Sequence, residues 1–440
     1  MHSYHLVGIA GVGMNALAQA LRFRGYAVSG SDRSYDACGE SEILRKLRRL
    51  GIDILPQNGA GVSDKTNVVV SSAIEDDNSD LVEARRVGAT VRHRADVLAE
   101  LVAGRSCIAV GGTSGKSTVA GMIGWLLETL GSDPFVVNGA SVLNWVDTEN
   151  IGNVRKGNAG PAVVEADESD RSHLKYDMDW AIVTNISIDH FALDETRKMF
   201  EMFAAKARKG SVGVIDKPGF YDGFNPSLSS TASEFLYRGM RYRVPLIGRH
   251  NAENALVAVE MCLRLGYGAN AVADALLGFK GIERRLETAG TMNGITVIDD
   301  YAHNPAKIRA AWTALASCYD RLIVIWRPHG YGPLRLMMND LVSVICEVCR
   351  SNDEIRLLPV YDAGGTADRA VLSEDLSSQL KRNGVQAPVM KDREELIASV
   401  VSAAEPGTAI VTMGARDPDL PVLAKDILSA VGRAVKPHIS

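Results

Sequence analysis

With 440 residues, 46% of them apolar and 23% charged, and a formal net charge of −5, the chain is long enough for two or three domains with buried cores. The slightly acidic balance gives no electrostatic reason to expect nucleic acid or an anionic membrane as partner, and no apolar run approaches the ~18 residues of a spanning helix. The amino terminus enters an apolar strand without a basic region, a long apolar stretch and a cleavage site, and the six cysteines fit reduced thiols, so a cytoplasmic location is expected.

Tyr4 to Ala10 reads as a strand opening into Gly8-Ile-Ala-Gly11-Val-Gly13-Met14. Apolar residues at 16, 17, 20, 21 and 23 give a helix that Gly25 ends, and a second strand, Ala27 to Ser31, runs into Asp32. A glycine turn between strand and helix, with an acid about 20 positions on, is the fingerprint of a βαβ nucleotide site, Asp32 being placed to meet a ribose hydroxyl. The spacing is G-x-x-G-x-G, not G-x-G-x-x-G, which favours a nucleotide other than NAD. Val68 to Ile74 is a further strand whose Ser71 and Ser72 fall where ligands sit in open α/β sheets, although a turn or cap is the commoner use of such hydroxyls. Leu81 to Val87 reads as a helix, Thr90 to Arg92 as a strand, and Val97 to Ala103 as a linker helix closed by Gly104.

The next segment has the strongest chemical signal. Cys107 to Val110 is a short apolar strand, followed by Gly111-Gly112-Thr113-Ser114-Gly115-Lys116-Ser117-Thr118 and a helix from Ser117 to Leu130. A glycine loop opening a helix aims backbone N–H groups at phosphate, the lysine adds a point charge, and a hydroxyl can hold Mg²⁺. The match to G-x-x-x-x-G-K-[ST] lacks its first glycine, which is Val110. Pro134 to Val137 is a strand, and another, from Ala162, ends in Glu165-Ala-Asp167-Glu168-Ser169-Asp170; carboxylates at a strand end suit a hard cation or a solvated loop. Trp180 to Thr184 leads to Asn185-Ile-Ser-Ile-Asp189-His190, where a histidine at a third polar strand end reads as a site residue. Thr196 to Lys209 is a helix with Met199, Phe200, Phe203 and Ala207 inward and Lys206 solvated, and Val212 to Asp216 is a strand. Residues 217–244, rich in Gly, Pro and Ser, suggest loop with one short strand.

Two helices, Ala255 to Leu265 and Ala269 to Leu277, precede the adjacent arginines Arg284 and Arg285, which are surface charge unless a triphosphate lies beside them. Gly294 to Asp300, Arg321 to Trp326, Glu354 to Pro359 and Ala409 to Met413 read as strands, alternating with helices from Ala306, over Leu334 to Val348 and over Ser373 to Lys381. That alternation predicts a further doubly wound sheet. Cys346 and Cys349 form a C-x-x-C inside an apolar helical run with no second pair, so core packing is expected, not zinc or redox chemistry.

Gly112-Thr-Ser-Gly-Lys-Ser-Thr118, Glu165-Ala-Asp-Glu-Ser-Asp170, Thr184-Asn-Ile-Ser-Ile-Asp-His190, Gly248-Arg-His-Asn251, Arg284-Arg-Leu-Glu287 and Asp300-Tyr-Ala-His303-Asn-Pro305 resemble, in order, the motifs of the Mur ligases, ATP-dependent amide ligases of peptidoglycan synthesis. The turn at 8–14, Ser71-Ser-Ala-Ile74, Pro328-His329-x-Tyr331 and Gly414-Ala-x-Asp417 resemble the alanine-adding branch and its relative that reattaches a recycled tripeptide. The resemblance implies an α/β protein of three domains: a Rossmann-like sheet at 1–104 for a UDP-sugar, a central P-loop ATPase-type sheet at 105–284, and a Rossmann-like sheet at 285–440 that closes over ATP and binds the acceptor. It implies ATP and Mg²⁺, with UDP-N-acetylmuramate and an amino acid or short peptide as substrates, in a monomer or homodimer. An acyl phosphate forms on the muramic acid carboxylate and the acceptor amine then attacks it. By that resemblance Gly112, Thr113, Ser114, Gly115 and Lys116 hold phosphates; Ser117 (or Thr118), Glu165 and His190 serve Mg²⁺; Asn251 meets adenine, Arg285 the γ-phosphate and Asp300 the ribose, with His303 completing the site. Gly11, Gly13, Asp32, Ser71 and Ser72 face the UDP-sugar, and His329 and Arg335 the acceptor.

Four departures bear on this. Ser114 stands where the alanine-adding enzymes usually carry histidine. Gly330 replaces the arginine expected after Pro328-His329, and the next expected arginine falls on Pro333 or shifts to Arg335, which leaves the acceptor open between alanine, another amino acid and a recycled tripeptide. The segment between His190 and Gly248 looks trimmed. Lys206 is out of register with a lysine that several relatives carbamylate near Mg²⁺. Outside this chemistry, a nicotinamide-dependent dehydrogenase leaves the phosphate loop and the carboxylates unexplained. A catalytically silent binding protein has no need of Lys116, Glu165, His190 and Arg285.

Overall fold

The computed structural model describes residues 3–167, 172–187, 193–362 and 368–434. Strands β1 (Ser3–Val7), β2 (Ala27–Ser31), β3 (Asp53–Leu55), β4 (Thr66–Val70) and β5 (Thr90–His93) form a parallel sheet in the order β3-β2-β1-β4-β5. The order reverses at β1, so the glycine turn after β1 opens at a switch point. Strands β6 (Cys107–Gly111), β7 (Phe135–Val137), β8 (Val154–Arg155), β9 (Ala162–Glu165), β10 (Trp180–Val183) and β11 (Gly210–Gly213) follow in the order β11-β10-β6-β9-β7-β8. Only the β7–β8 pair in this sheet is antiparallel.

Both sheets lie in one compact unit, Met1–Asn225, Phe235–Val244 and Glu253–Glu283. The helix Val12–Phe23 explains why. Every residue from Met14 to Leu21 is buried, so the helix is covered on both faces. One face meets its own sheet; Leu17 and Leu21 share a single apolar cluster with Phe135, Val137 and Val154 of the second. The polar residues on it are paired inside: Gln19 Nε2 donates to Asn153 Oδ1 at 2.9 Å, and Asn153 Nδ2 to Asn15 Oδ1 at 2.7 Å.

A buried polar cluster braces the first turn. Asp80, fully buried, accepts from Ser31 Oγ at 2.5 Å and Gly59 N at 2.7 Å and lies 3.3 Å from His5 Nε2. Burial alone would raise the Asp80 carboxyl, but the bonds from His5, Ser31 and Gly59 outweigh it and hold the group below its ordinary value. Ser31 in turn accepts Gly8 N and Ile9 N on its carbonyl, at 2.8 and 2.9 Å. Asp80→Ala leaves those donors unpaired in the core, and a loss of about 3 kcal/mol in urea unfolding is expected. An unchanged midpoint would show that the cluster does not hold this sheet.

Residues 217–244 differ from the expected loop with one strand. They carry β12 (Ser227–Leu228), β13 (Ser233–Tyr237) and β14 (Met240–Val244), a three-stranded sheet. Arg238 and Gly239, both at positive φ (49° and 81°), make the two-residue turn that joins β13 to β14. In β14, buried Tyr242 and Val244 alternate with exposed Arg241 and Arg243, and Tyr242 stacks on Phe235 at 5.5 Å.

The second compact unit comprises Pro226–Glu234, Pro245–Ala252 and Arg284–Ser440. Its sheet contains β15 (Glu287–Met292), β16 (Ile295–Asp300), β17 (Arg321–Trp326), β18 (Glu354–Leu357) and β19 (Thr408–Met413), in the order β15-β16-β19-β17-β18, parallel except for the β15–β16 hairpin. Cys346 and Cys349 are unbridged and half-buried against the core of this unit. Among the described residues no helix is long and apolar enough to cross a membrane.

Candidate active site

In the first unit β6 lies between β10 and β9, so the segments after all three open on one edge. Val110 is in register with Glu165, and Gly111 with Val183. The loop after β6 is pinned to the segment after β10. Thr113 N donates to Asn185 O at 3.1 Å, Ser114 N to Asn185 Oδ1 at 3.0 Å, and Thr184 Oγ1 to Ser114 O at 2.6 Å. Glycine is required twice. Gly112 and Gly115 have φ of +126° and +84°, and an added Cβ would stand 2.0 Å from Thr184 Oγ1 or 2.3 Å from Asn254 Oδ1. Lys116 folds back over its own loop and donates to Gly112 O at 2.9 Å. The helix Lys116–Thr129 starts at Gly115 with no side-chain cap, leaving its amides to an anion.

Ser117 and Thr118 are buried at this start, and Asn138 Nδ2 ties the Ser117 carbonyl to the 138–140 segment at 3.1 Å. The adjacent Gly139 N donates to Glu165 Oε2 at 2.8 Å, fixing one carboxylate oxygen. Lys116, Ser117, Thr118 and Glu165 are thereby brought to one edge. Glu168, Ser169, Asp170, Asp189 and His190 lie outside the described residues. Among the described residues no three His, Cys, Asp or Glu side chains converge as a ready-made metal cluster. Lys206 is exposed and donates to the Leu174 carbonyl.

At the first sheet, Gly11 starts the helix Val12–Phe23, again with no side-chain cap. Asp32 turns inward: Oδ2 accepts Ala10 N at 2.9 Å and Oδ1 accepts Ser34 N and Oγ at 2.9 and 2.6 Å, and the residue is 8% exposed. Its carboxylate thus shapes the glycine turn and caps Arg33–Cys38. Ser71 accepts Ala73 N on its own turn, whereas Ser72 is exposed. The sequence reading passed over Arg94. A Cβ on Gly13 would stand 3.0 Å from its Nη1, so glycine at 13 makes room for a guanidinium, which also lies 3.6 Å from Asp167.

The second unit has its own edge. Arg284 (φ 57°) is structural: Nε pairs with Asp299 at 2.8 Å, Nη2 donates to Gly414 O at 2.7 Å, and Nη1 to Asp417 O at 3.1 Å. Both guanidiniums lie over the Tyr301 ring, Arg284 at 5.2 Å and Arg285 at 5.1 Å from its centroid. Asp300 is buried, with both oxygens taken by backbone donors, Leu286 N and Ala302 N, each at 2.8 Å. Burial pushes its carboxyl up, against the pull of Arg285 and those bonds. Like Asp32, it holds a turn. Asn251 is also buried, its amide donating to Ile247 O at 2.8 Å.

Strands β16, β19 and β17 end in register at Asp300, Met413 and Trp326, and three positions beyond these stand His303, Arg416 and His329. The two imidazoles are 4.8 Å apart. Burial, then Lys307, His329 and Arg285, pushes His303 down to about 3, against its bond to the Tyr301 carbonyl. Burial, Arg416 and Lys307 push His329 down to about 4. Burial and Arg285 do the same to His250, also about 4. All three are neutral at pH 7. Arg335 is exposed and paired with Asp368 at 2.8 Å.

Comparisons with known proteins agree along the chain. The models described as Mur ligase family, catalytic domain, as Mur ligase middle domain, and as Mur ligase, glutamate ligase domain match residues 3–106, 110–208 and 284–416. The UDP-N-acetylmuramate–L-alanine ligase of Sinorhizobium fredii is 34% identical over 93% of this chain and 94% of its own length. That of Carboxydothermus hydrogenoformans is 31% identical over 94% of each chain. The crystal structure of the UDP-N-acetylmuramate–alanine ligase of Thermotoga maritima superposes with a TM-score of 0.81 at 25% identity, covering 99% of this chain and 100% of that one. A murein peptide ligase from Psychrobacter arcticus, at 23% identity and the same coverage, shares the fold with a TM-score of 0.66. With family models matching in order along the chain and relatives alike over 93% of it, the chain belongs to the Mur ligase family.

Proposed function

We propose that this ligase joins L-alanine to the carboxylate of UDP-N-acetylmuramate at the expense of ATP, in the cytoplasm, as a step of peptidoglycan precursor synthesis. The observation that carries the reading is the glycine–lysine loop pinned by Thr184 and Asn185 beside Glu165, in a chain alike over its length to enzymes of that name. The backbone of Gly112–Gly115 and the Lys116 ammonium hold the phosphates. The hydroxyls of Ser117 or Thr118 and the second carboxylate oxygen of Glu165 are hard donors that fit Mg²⁺, with His190 as a further proposed partner. The cation, when bound, supplies charge neutralisation for the phosphates.

The remaining roles follow the three proposed domains. In 1–104, Gly11 and Gly13 let backbone amides approach the UDP pyrophosphate, Ser72 is the available hydroxyl, and Asp32 holds the turn. In 105–284, the loop and Glu165 orient the muramic acid carboxylate for transfer. In 285–440, Arg285 is the γ-phosphate cation, His303 completes the nucleotide site and borders His329, which faces the acceptor, while Asp300 fixes the 284–286 backbone. Asn251 supports the adenine pocket. With charge neutralisation and positioning supplied, little covalent work falls to the protein. The same chemistry with a recycled tripeptide is the second reading, motivated by Gly330 and Pro333 at positions where arginines were expected.

A thermal-shift panel tests the pair of donors. UDP-N-acetylmuramate and a Mg-bound ATP analogue, each well above its Kd, are expected to raise the melting temperature by about 5 °C, and NAD to leave it unchanged. Stabilisation by NAD alone overturns the reading. Phosphate release across amino acids and short peptides, with ATP and UDP-N-acetylmuramate present, then identifies the acceptor.

A further inference from the structure

We propose that Arg416 anchors the carboxylate of the acceptor, an assignment that rests on the ligase reading above. Arg416 follows β19, the middle strand of its sheet, and stands level with His303 and His329 beyond the ends of the two neighbouring strands. Carboxyl ends of parallel strands are where ligands bind in open α/β sheets.

The backbone at Arg416 is in the left-handed region, φ 66°, which costs a non-glycine residue on the order of 1 kcal/mol. Its neighbours enforce this. Gly414 N donates to Asp300 O at 3.1 Å, and Arg284 donates to the Gly414 carbonyl. Asp417, 1% exposed, accepts Arg327 Nη1 at 2.7 Å and Asp419 N at 2.9 Å. The Arg416 amide itself donates to Tyr301 Oη at 3.3 Å. The turn is rigid, and a glycine would suit it; a long cation is what it holds out instead.

That cation is available. Arg284, Arg327, Arg335 and Arg369 of this unit are each paired with a carboxylate. Arg416 is exposed and makes no ion pair or side-chain hydrogen bond with another described residue. Arg416 acts on the ring of His329, and His303 lies against that ring at 4.8 Å; both imidazoles remain neutral at pH 7, with lone pairs able to accept from an ammonium. Arg416, with Lys307 and Arg285 also acting on these rings, makes the edge cationic and suits the carboxylate of a zwitterion, while the neutral imidazoles offer lone pairs to its amine.

The test is steady-state phosphate release with ATP and UDP-N-acetylmuramate saturating and the acceptor varied over amino acids and short peptides. Arg416→Gly is expected to raise the acceptor KM by about 10- to 100-fold, the loss of one charge-assisted bond. The KM values for ATP and UDP-N-acetylmuramate should stay unchanged, and the melting temperature unchanged or higher, since glycine relieves the turn. Arg416→Lys should recover part of the loss. Wild-type protein should discriminate against L-alaninamide, which lacks the carboxylate, and Arg416→Gly should not. An acceptor KM unchanged in Arg416→Gly, or an equal rise in all three KM values, overturns the anchor and leaves the ligase reading standing. Wild-type protein that releases no phosphate with any acceptor overturns the ligase reading and the anchor together.

Discussion

Lys116→Ala is expected to lower kcat/KM for phosphate release by about 1,000-fold while leaving the fold intact. The ammonium sits over the loop, 2.9 Å from the Gly112 carbonyl, so the charge is already placed before a nucleotide arrives. Its removal takes away a cation whose work grows as phosphate charge develops, which strikes turnover harder than binding. Stability should be unaffected, because residue 116 is the first of the helix Lys116–Thr129 and alanine is a strong helix former. Lys116→Arg should not restore the rate: a planar, longer guanidinium cannot occupy a point-charge position enclosed by a loop that Thr184 and Asn185 hold fixed. Activity within tenfold of wild type in Lys116→Ala, measured by phosphate release with circular dichroism as the folding control, would falsify the assignment of this loop to ATP.

Much of the central site was legible because its chemistry is written in contiguous residues. The strand, the glycines and Lys116-Ser117 lie together, and Glu165 ends an apolar run that can only be a strand. Less was legible wherever one residue type serves two purposes. Asp32 has the position of a ribose-binding acid, yet the amides of Ala10 and Ser34 claim its oxygens. Arg284 and Arg285 are alike in sequence and both lie over Tyr301, yet Arg284, at positive φ, is bound by Asp299 and by the Gly414 and Asp417 carbonyls. Gly, Pro and Ser at 217–230 masked the clean alternation of Met240–Val244. The hairpin at Asn293-Gly294, both at positive φ, was a plain signal passed over because the strand before it, Glu287–Met292, is poor in buried apolar residues. The level of His303, His329 and Arg416 could not be read at all, since it exists only once β16, β17 and β19 are in register.

Acidification from pH 7 to pH 5 is expected to cost the second unit a few kcal/mol, well before any carboxylate that is held low begins to titrate. The sign follows from His250, His303 and His329, whose folded values of about 4, 3 and 4 lie below the ordinary 6.5. The unfolded chain takes up protons at 6.5 that the folded unit refuses, so the stability is present above 6.5 and is lost as pH falls below it. Each imidazole contributes at most about 1.4 kcal/mol per pH unit, less where solvent reaches the ring. Asp300, whose carboxyl is pushed up by burial, works in the opposite sense and offsets part of the loss at the lower end. Asp353, where hydrogen bonds from Arg350 and Trp312 overcome burial and hold the carboxyl down, contributes only below its ordinary 3.8. Hydrogen exchange on the full chain separates the units: protection in β16, β17 and β19 should fall between pH 7 and pH 5 after correction for intrinsic rates, while β6 and β9 hold. His303→Asn should flatten the fall by removing one of the three refusals. Equal pH dependence in both units, or none in either, would mean that these imidazoles are not held neutral by the fold. A neutral nitrogen at His303 and His329 would then lose its basis, and with it the complement to a fixed cation at Arg416.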